Sequence, residues 1–230
     1  TYLSINIDFA CSLRMGEITG LTWDCVDVSD EAIENDNAYL QVTKEMSRVT
    51  KEAMQTLNNK DVLFVFPPLM SGNHTDLVLK KPKTASSVRK VWIPRTVAEI
   101  LRDWKREQEE VKQMLGEEYQ DYNLVIAQSN GRPVENRIIQ KGFQEITARA
   151  GLPSVVFHSL RHSSTTYKLK LNQGDLKATQ GDTGHAQIDM ITKVYAHILD
   201  EDRKVNAQKF EQAFYRKKDA PHKPAPPKEM

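Results

Sequence analysis

"VVFHSLRHSSTTY", residues 155–167, ends an apolar run on His158, Arg161 and His162, three polar groups within five positions. If a helix begins near Ser159, His158 and Arg161 share one of its faces. A helix start leaves backbone N–H groups without intrahelical partners and carries the positive end of the macrodipole, and both favour an anion. The guanidinium adds a planar fork that matches phosphate oxygens. The imidazole adds a group that moves protons near neutral pH. Together they suit chemistry on a phosphate. Two other readings stand beside this one. The histidines could be capping or packing residues, or, being four apart, two ligands of a helical metal site. Arg161 between them repels a dication, and no HExxH glutamate or third spaced ligand is evident, so a metal-free site is expected.

Outward from this stretch the chain reads as a mixture of helices and short strands. Residues 134–150 form a helical pattern stopped by Gly151 and Pro153. Before them, Val97, Ile100, Leu101, Trp104, Val111 and Met114 mark a helix, with Thr96 and Glu99 spaced as a capping box and Gly116 as its stop. "AYLQVT" (38–43), "DVLFVFPP", "TDLVLKK" and "SVRKVWIP" read as strands, the second and third around the turn "SGNH". In the last, Arg89 is expected to face outward and Val91 and Ile93 inward. Together the strands predict one small antiparallel sheet. Met46, Val49, Ala53 and Leu57 predict a short amphipathic helix over 45–59. At the start, Leu3, Ile7, Cys11 and Ile18 predict a helix. Downstream, "QIDMITKVYAHIL" and residues 201–216, with Val205, Phe210, Ala213 and Phe214, predict two more. The Pro- and Lys-rich residues 217–230 should be disordered.

Composition sets the frame. The 230 residues carry a formal net charge of +1, so the mean field of the chain does not draw it to a polyanion. Locally the picture differs. Residues 80–106 hold nine Lys/Arg against Glu99 and Asp103, a local +7, followed by an acidic stretch at 107–121. This fits either a solvated helix and hairpin or a patch that faces a polyanion. Two cysteines, Cys11 and Cys25, suggest a reducing compartment. No apolar run approaches 18 residues, so no membrane span and a cytoplasmic protein are expected.

Taken singly, the remaining polar residues are unremarkable by pattern. Arg14 in "LRMGEITGLTW" reads as a surface arginine and Lys83 in "KPKTASSVRKVWIP" as an exposed hairpin lysine. Tyr195 shares a stripe with Ile188, Ile191 and Ile198, as a core aromatic would. Their joint order changes this. "RMGEITGLTWDCVD", "PKTASSVRKVWIP", "HSLRH", "TGH" and "YAH", in that sequence, resemble the catalytic domain of tyrosine recombinases, the phage and conjugative-transposon integrases. The resemblance covers residues 1 to about 215. Arg14 to Arg161 is 147 residues, Arg161 to His185 is 24, and His185 to Tyr195 is 10.

The resemblance implies a role for each matched residue. Arg14 is the first family arginine and Glu17 the acidic residue that orients it. Lys83 is the catalytic lysine, and His158 and Arg161 are the His-x-x-Arg pair. His185 is the later His/Trp position and Tyr195 the nucleophile. Thr183 stands where the family usually has leucine, and the segment between "AYLQVT" and Lys83 is longer than in minimal members. The implied fold is α+β and mainly α-helical, with a small antiparallel sheet carrying the lysine hairpin. The implied domain is 1–216, with helix 201–216 docking in trans and the N-terminal core-binding domain absent from this chain.

The implied activity is site-specific recombination through a 3′-phosphotyrosyl intermediate, integrating and excising a mobile element. It needs no cofactor and no metal, because the phosphotyrosine conserves the bond energy. Its partners would be double-stranded attachment-site DNA and three further copies of the chain in a synaptic tetramer. A type IB topoisomerase acting as a monomer, and a DNA-binding module without catalysis, are the alternatives. A covalent adduct separates the enzymes from the binding module, and relaxation without synapsis separates the topoisomerase.

Overall fold

The computed structural model describes residues 1–172 and 174–184. Leu3, Ile7 and Cys11 form the buried stripe of the helix Tyr2–Cys11 (α1). That helix ends sooner than the spacing of Ile18 predicts. Ser12 adopts a left-handed conformation (φ 52°), which is uncommon without glycine, and its N–H bonds Asp8 O at 2.7 Å. The Ser12 hydroxyl bonds the buried Ser164 hydroxyl at 2.6 Å, which helps hold this turn. The chain then re-enters a short helix, Met15–Thr19 (α2).

A two-residue strand, Val26–Asp27 (β1), precedes the helix Asp30–Glu34 (α3), whose N-cap Ser29 hydroxyl accepts from the Ala32 N–H. The strand Tyr39–Val42 (β2) follows. Residues 45–59 depart from the amphipathic helix expected there. They form the strand Glu45–Thr50 (β3) and only then the helix Lys51–Thr56 (α4). Pairing with the downstream strand overrides the helical spacing, since it buries Met46 against Leu79.

The strands Val62–Val65 (β4) and Thr75–Lys80 (β5) pair antiparallel, as the turn signal between them implied. Arg89–Trp92 (β6) pairs with β2, Leu40 opposite Val91. The single expected sheet is thus two, with strand orders β1-β2-β6 and β3-β5-β4. Lys83 therefore lies on the connection between sheets and not on a hairpin within one.

The long helix Arg95–Leu115 (α5) starts after Pro94 and stops at Gly116. No side chain caps its start, so the Thr96–Glu99 box does not form; Thr96 already lies inside the helix. Asn136–Arg149 (α6), His158–Leu171 (α7) and Leu176–Thr183 (α8) complete the described helices. The last was not foreseen, although Asp175 caps it in the ordinary way, accepting from the N–H groups of Lys177 and Ala178 at 2.9 Å each. The fold is α+β, mainly helical with small antiparallel sheets.

One core joins α1, the β1-β2-β6 sheet, α5, α6 and the entry to α7 through Ile7, Leu40, Val91, Leu101, Ile139 and Phe157. A smaller one lies beneath β3-β5-β4, around Met46, Phe66, Leu79 and Leu124. Among the described residues, no helix is long and apolar enough to cross a membrane.

Candidate active site

The site is built where the broken α1–α2 segment meets the first turns of α7 and the end of α8. Glu17 sits at its centre with only 1% of its side chain exposed. As the N3 residue of α2 it accepts the Arg14 backbone N–H at 2.9 Å, and its other oxygen accepts Arg14 Nη1 at 2.8 Å. Arg89 reaches the same carboxylate from β6, placing Nη1 3.2 Å from Oε1 and Nη2 3.0 Å from Oε2. Arg161 Nη1 lies 4.0 Å from Oε2. Three guanidinium groups thus surround one buried carboxylate. Burial alone would raise its pKa, but hydrogen bonds and charge from Arg89 and Arg14 outweigh this and hold it below the usual carboxylate range.

Arg161 is 2% exposed at its side chain and is fixed by backbone carbonyls. Its Nη1 donates to Ser12 O and its Nη2 to Thr183 O at 2.7 Å. The Ser12 carbonyl is available for this because the chain breaks there. Burial, then the neighbouring Arg14, pushes the Arg161 guanidinium down to about 10, and it remains a cation at neutral pH. Arg14, 38% exposed, also donates through Nη2 to Gly184 O at 3.3 Å. The arginines therefore have set positions before any ligand arrives.

His158 opens α7 and is exposed, with its ring edge-on to His162 at 4.7 Å between centroids. Burial, then the charges of His162, Arg161 and Arg14, lower its pKa, so the neutral, proton-accepting form dominates at pH 7. Among the described residues no group of three or more His, Cys, Asp and Glu side chains gathers as a metal site would need. Lys83 is exposed in the connection between β5 and β6. His185 and Tyr195, and the helix expected at 201–216, lie outside the described residues.

Two charged residues near the cluster are buried against expectation. Arg89 was expected to face outward, yet its side chain is only 6% exposed. The error is one of parity, because residues 89, 91 and 93 alternate together in a strand and must share the inward face. Asp8 is the second. It lies within the buried face of α1, 1% exposed, with Oδ1 unpartnered, and burial pushes its carboxyl up to about 8 although the charge of Arg161 opposes this. The basic stretch 80–106 also proves less uniform than its count implied. Lys80 pairs with Glu45 at 3.0 Å, Arg95 with Asp36 at 3.0 Å and Arg102 with Asp30 at 3.0 Å, while Lys90 lies over the rings of Tyr39 and Trp92.

Comparison with known proteins identifies the family to which this helical fold with small antiparallel sheets belongs. The phage integrase family model matches residues 70–202, more than half of the chain, and the chain belongs to that family. It is 27% identical over 203 residues to a tyrosine recombinase XerC-like protein of Caldanaerobacter subterraneus subsp. tengcongensis, covering 86% of this chain and 46% of that protein. It is also 27% identical over 135 residues to the ICEBs1 integrase of Bacillus subtilis, covering 58% of this chain and 36% of that one. The chain thus spans less than half the length of these relatives. The fold is similar to that of the Tn1549 transposon integrase, solved in complex with transposon right end DNA, with a TM-score of 0.64 at 21% identity over 92% of this chain and 58% of that one.

Proposed function

We propose that the chain is the catalytic part, residues 1–216, of a site-specific DNA recombinase that integrates and excises a mobile element. The observation that carries this is the cluster of Arg14, Arg89 and Arg161 on Glu17, with His158 on the first turn of α7. A phosphoryl transition state gathers negative charge on its non-bridging oxygens, and preorganised guanidinium donors stabilise it without reorganising. Arg161, held by two backbone carbonyls, cannot relax away when the charge develops. Membership of the phage integrase family and the names of the relatives support the same reading.

In the proposed reaction Tyr195 Oη attacks the phosphorus of one strand and the bond to the 5′-oxygen breaks. A 3′-phosphotyrosyl link and a free 5′-hydroxyl result. Arg14 and Arg161 hold the non-bridging oxygens. His158, neutral at pH 7, takes the tyrosyl proton, and Lys83 gives one to the departing oxygen. His185 donates to the phosphate. Reversal by a different 5′-hydroxyl rejoins the strands without a nucleotide cofactor or metal ion. The substrate is duplex DNA at attachment or transposon-end sites, bound by four protomers in synapsis, with helix 201–216 seated on a neighbour.

A nicked duplex that loses its 5′-hydroxyl fragment after cleavage traps the covalent intermediate. On a denaturing gel the chain should migrate with the DNA attached. Binding without any adduct would favour a non-catalytic DNA-binding module. An adduct accompanied by supercoil relaxation without synapsis would favour a type IB topoisomerase.

A further inference from the structure

Arg89 contacts more of the site than any role assigned so far requires. Its guanidinium spans both oxygens of Glu17, its Nε donates to Asp182 O at 2.9 Å, and its Nη1 donates to Ser87 O at 2.9 Å. Those acceptors come from three separate segments. Glu17 belongs to α2 and orients Arg14. Asp182 lies in the last turn of α8, where the chain heads toward His185. Ser87 ends the tight turn Ala85–Ser87 that follows Lys83.

The last contact has a specific consequence for Lys83. The connection 81–88 lies between two sheets and has no strand pairing of its own to fix it. The Lys81 N–H bonds Asp61 O at 2.9 Å at one end, and the Ser87 N–H bonds Thr84 O at 3.1 Å within the turn. Thr84 and Ser87 also share a hydroxyl hydrogen bond of 2.9 Å, and Ser87 is buried. A chain of contacts therefore runs from Glu17 through Arg89 to Ser87, on to Thr84, and to the residue beside it, Lys83. Beside the same guanidinium, a Cβ on Gly184 would come within 2.8 Å of Arg89 Nη1, so the end of α8 is fitted closely against it.

A general acid must lie within hydrogen-bond reach of the oxygen it protonates, and misplacement by about 1 Å can cost about 10²-fold in rate. Arginine suits the task because its rigid fork can serve several fixed acceptors at once, whereas an ammonium acts as a point charge. We propose that Arg89 is a positioning residue that registers the Lys83 loop against the Arg14–Glu17–Arg161 cluster, so that the ammonium and guanidinium groups meet one phosphate. This rests on the recombinase reading above.

The test uses the 230-residue chain in single-turnover cleavage of two trapping duplexes, one with the natural bridging 5′-oxygen and one with sulfur there. Sulfur departs without a proton, so it spares a misplaced general acid and does nothing for misplaced arginines. Lys83→Ala serves as the reference for complete loss of the acid. In Arg89→Met the sulfur-to-oxygen rate ratio should rise at least about tenfold above wild type, a part of the roughly 10²–10⁴ that general acid catalysis supplies. Arg89→Lys keeps a charge for Glu17 but cannot reach Ser87 O and Asp182 O together. It should show the same direction of change and covers the case in which the methionine variant does not fold. An unchanged ratio in the folded variants, whether or not both rates fall, would overturn the inference and leave Arg89 a purely structural residue. Absence of adduct from wild type on either duplex would overturn the recombinase reading and this inference with it.

Discussion

Replacing Asp8 by asparagine should stabilise the fold increasingly as pH rises from 5 to 7. Asp8 is buried in α1 with one oxygen unpartnered, and its carboxyl is pushed up from 3.8 to about 8, first by burial and against the charge of Arg161. Below pH 3.8 the native and unfolded states are both protonated there, and the group contributes no pH dependence. Between that value and about 8 the unfolded chain has lost its proton while the native state keeps it. Stability then falls by about 1.4 kcal/mol per pH unit, and above pH 8 the loss stops growing. From pH 5 to pH 7 this single residue costs about 2–3 kcal/mol, a large share of the roughly 5–15 kcal/mol that holds a domain together. Asparagine does not titrate, so the stability difference between Asp8→Asn and wild type should widen by that amount over the same range. Its new N–H groups beside Arg161 add only an offset independent of pH. Urea unfolding of both proteins at pH 5, 6 and 7, with the m-value checked for constancy, reads the widening directly. Parallel curves for the two proteins would refute the buried, proton-holding carboxyl.

The other expectations concern the site itself. Arg161→Lys should lose about 10²–10³ in cleavage rate, about 3–4 kcal/mol, because lysine cannot reproduce a fork already committed to two carbonyls, and wild-type cleavage would contradict this. Gly184→Ala places a Cβ against Arg89 at a backbone φ of +63°, and should lower stability by about 1–2 kcal/mol in thermal unfolding; an unshifted Tm would contradict it. Lys81→Ala should weaken DNA binding and reduce the salt slope by about one while cleavage at saturation holds, whereas Lys83→Ala should slow cleavage at saturation; the reverse pattern would exchange their roles. Lys80, already paired with Glu45, should matter less than either.

Most of the fold could be read where one periodicity dominated. The stripe of α1, the long α5 and the strands at 39–42 and 89–92 follow from spacing alone. Residues 45–50 did not, since Met46 and Val49 fit a helical spacing and only their pairing with a strand some 30 positions on decides otherwise. The break at Ser12 left no local signal, because a serine gives no hint of a left-handed backbone that its partner Ser164 helps to hold. In the site, ordered motifs identified Arg14, Glu17 and Arg161, which the fold does bring together. Arg89 was legible in principle, given its parity with Val91 and Ile93. Asp8 was not, for a lone acid in an apolar helix reads as surface until the neighbouring α7 covers it.

The proposed reaction makes and breaks a bond between DNA and Tyr195. Wild type and Tyr195→Phe should both be incubated with the trapping duplex and digested with trypsin, and the DNA-linked peptide identified by mass spectrometry. In wild type the DNA strand should be linked through its 3′-phosphate to the peptide of residues 194–203, and Tyr195→Phe should bind DNA without any linked peptide. A link to Tyr167 or Tyr215, or an adduct that persists in Tyr195→Phe, would contradict it.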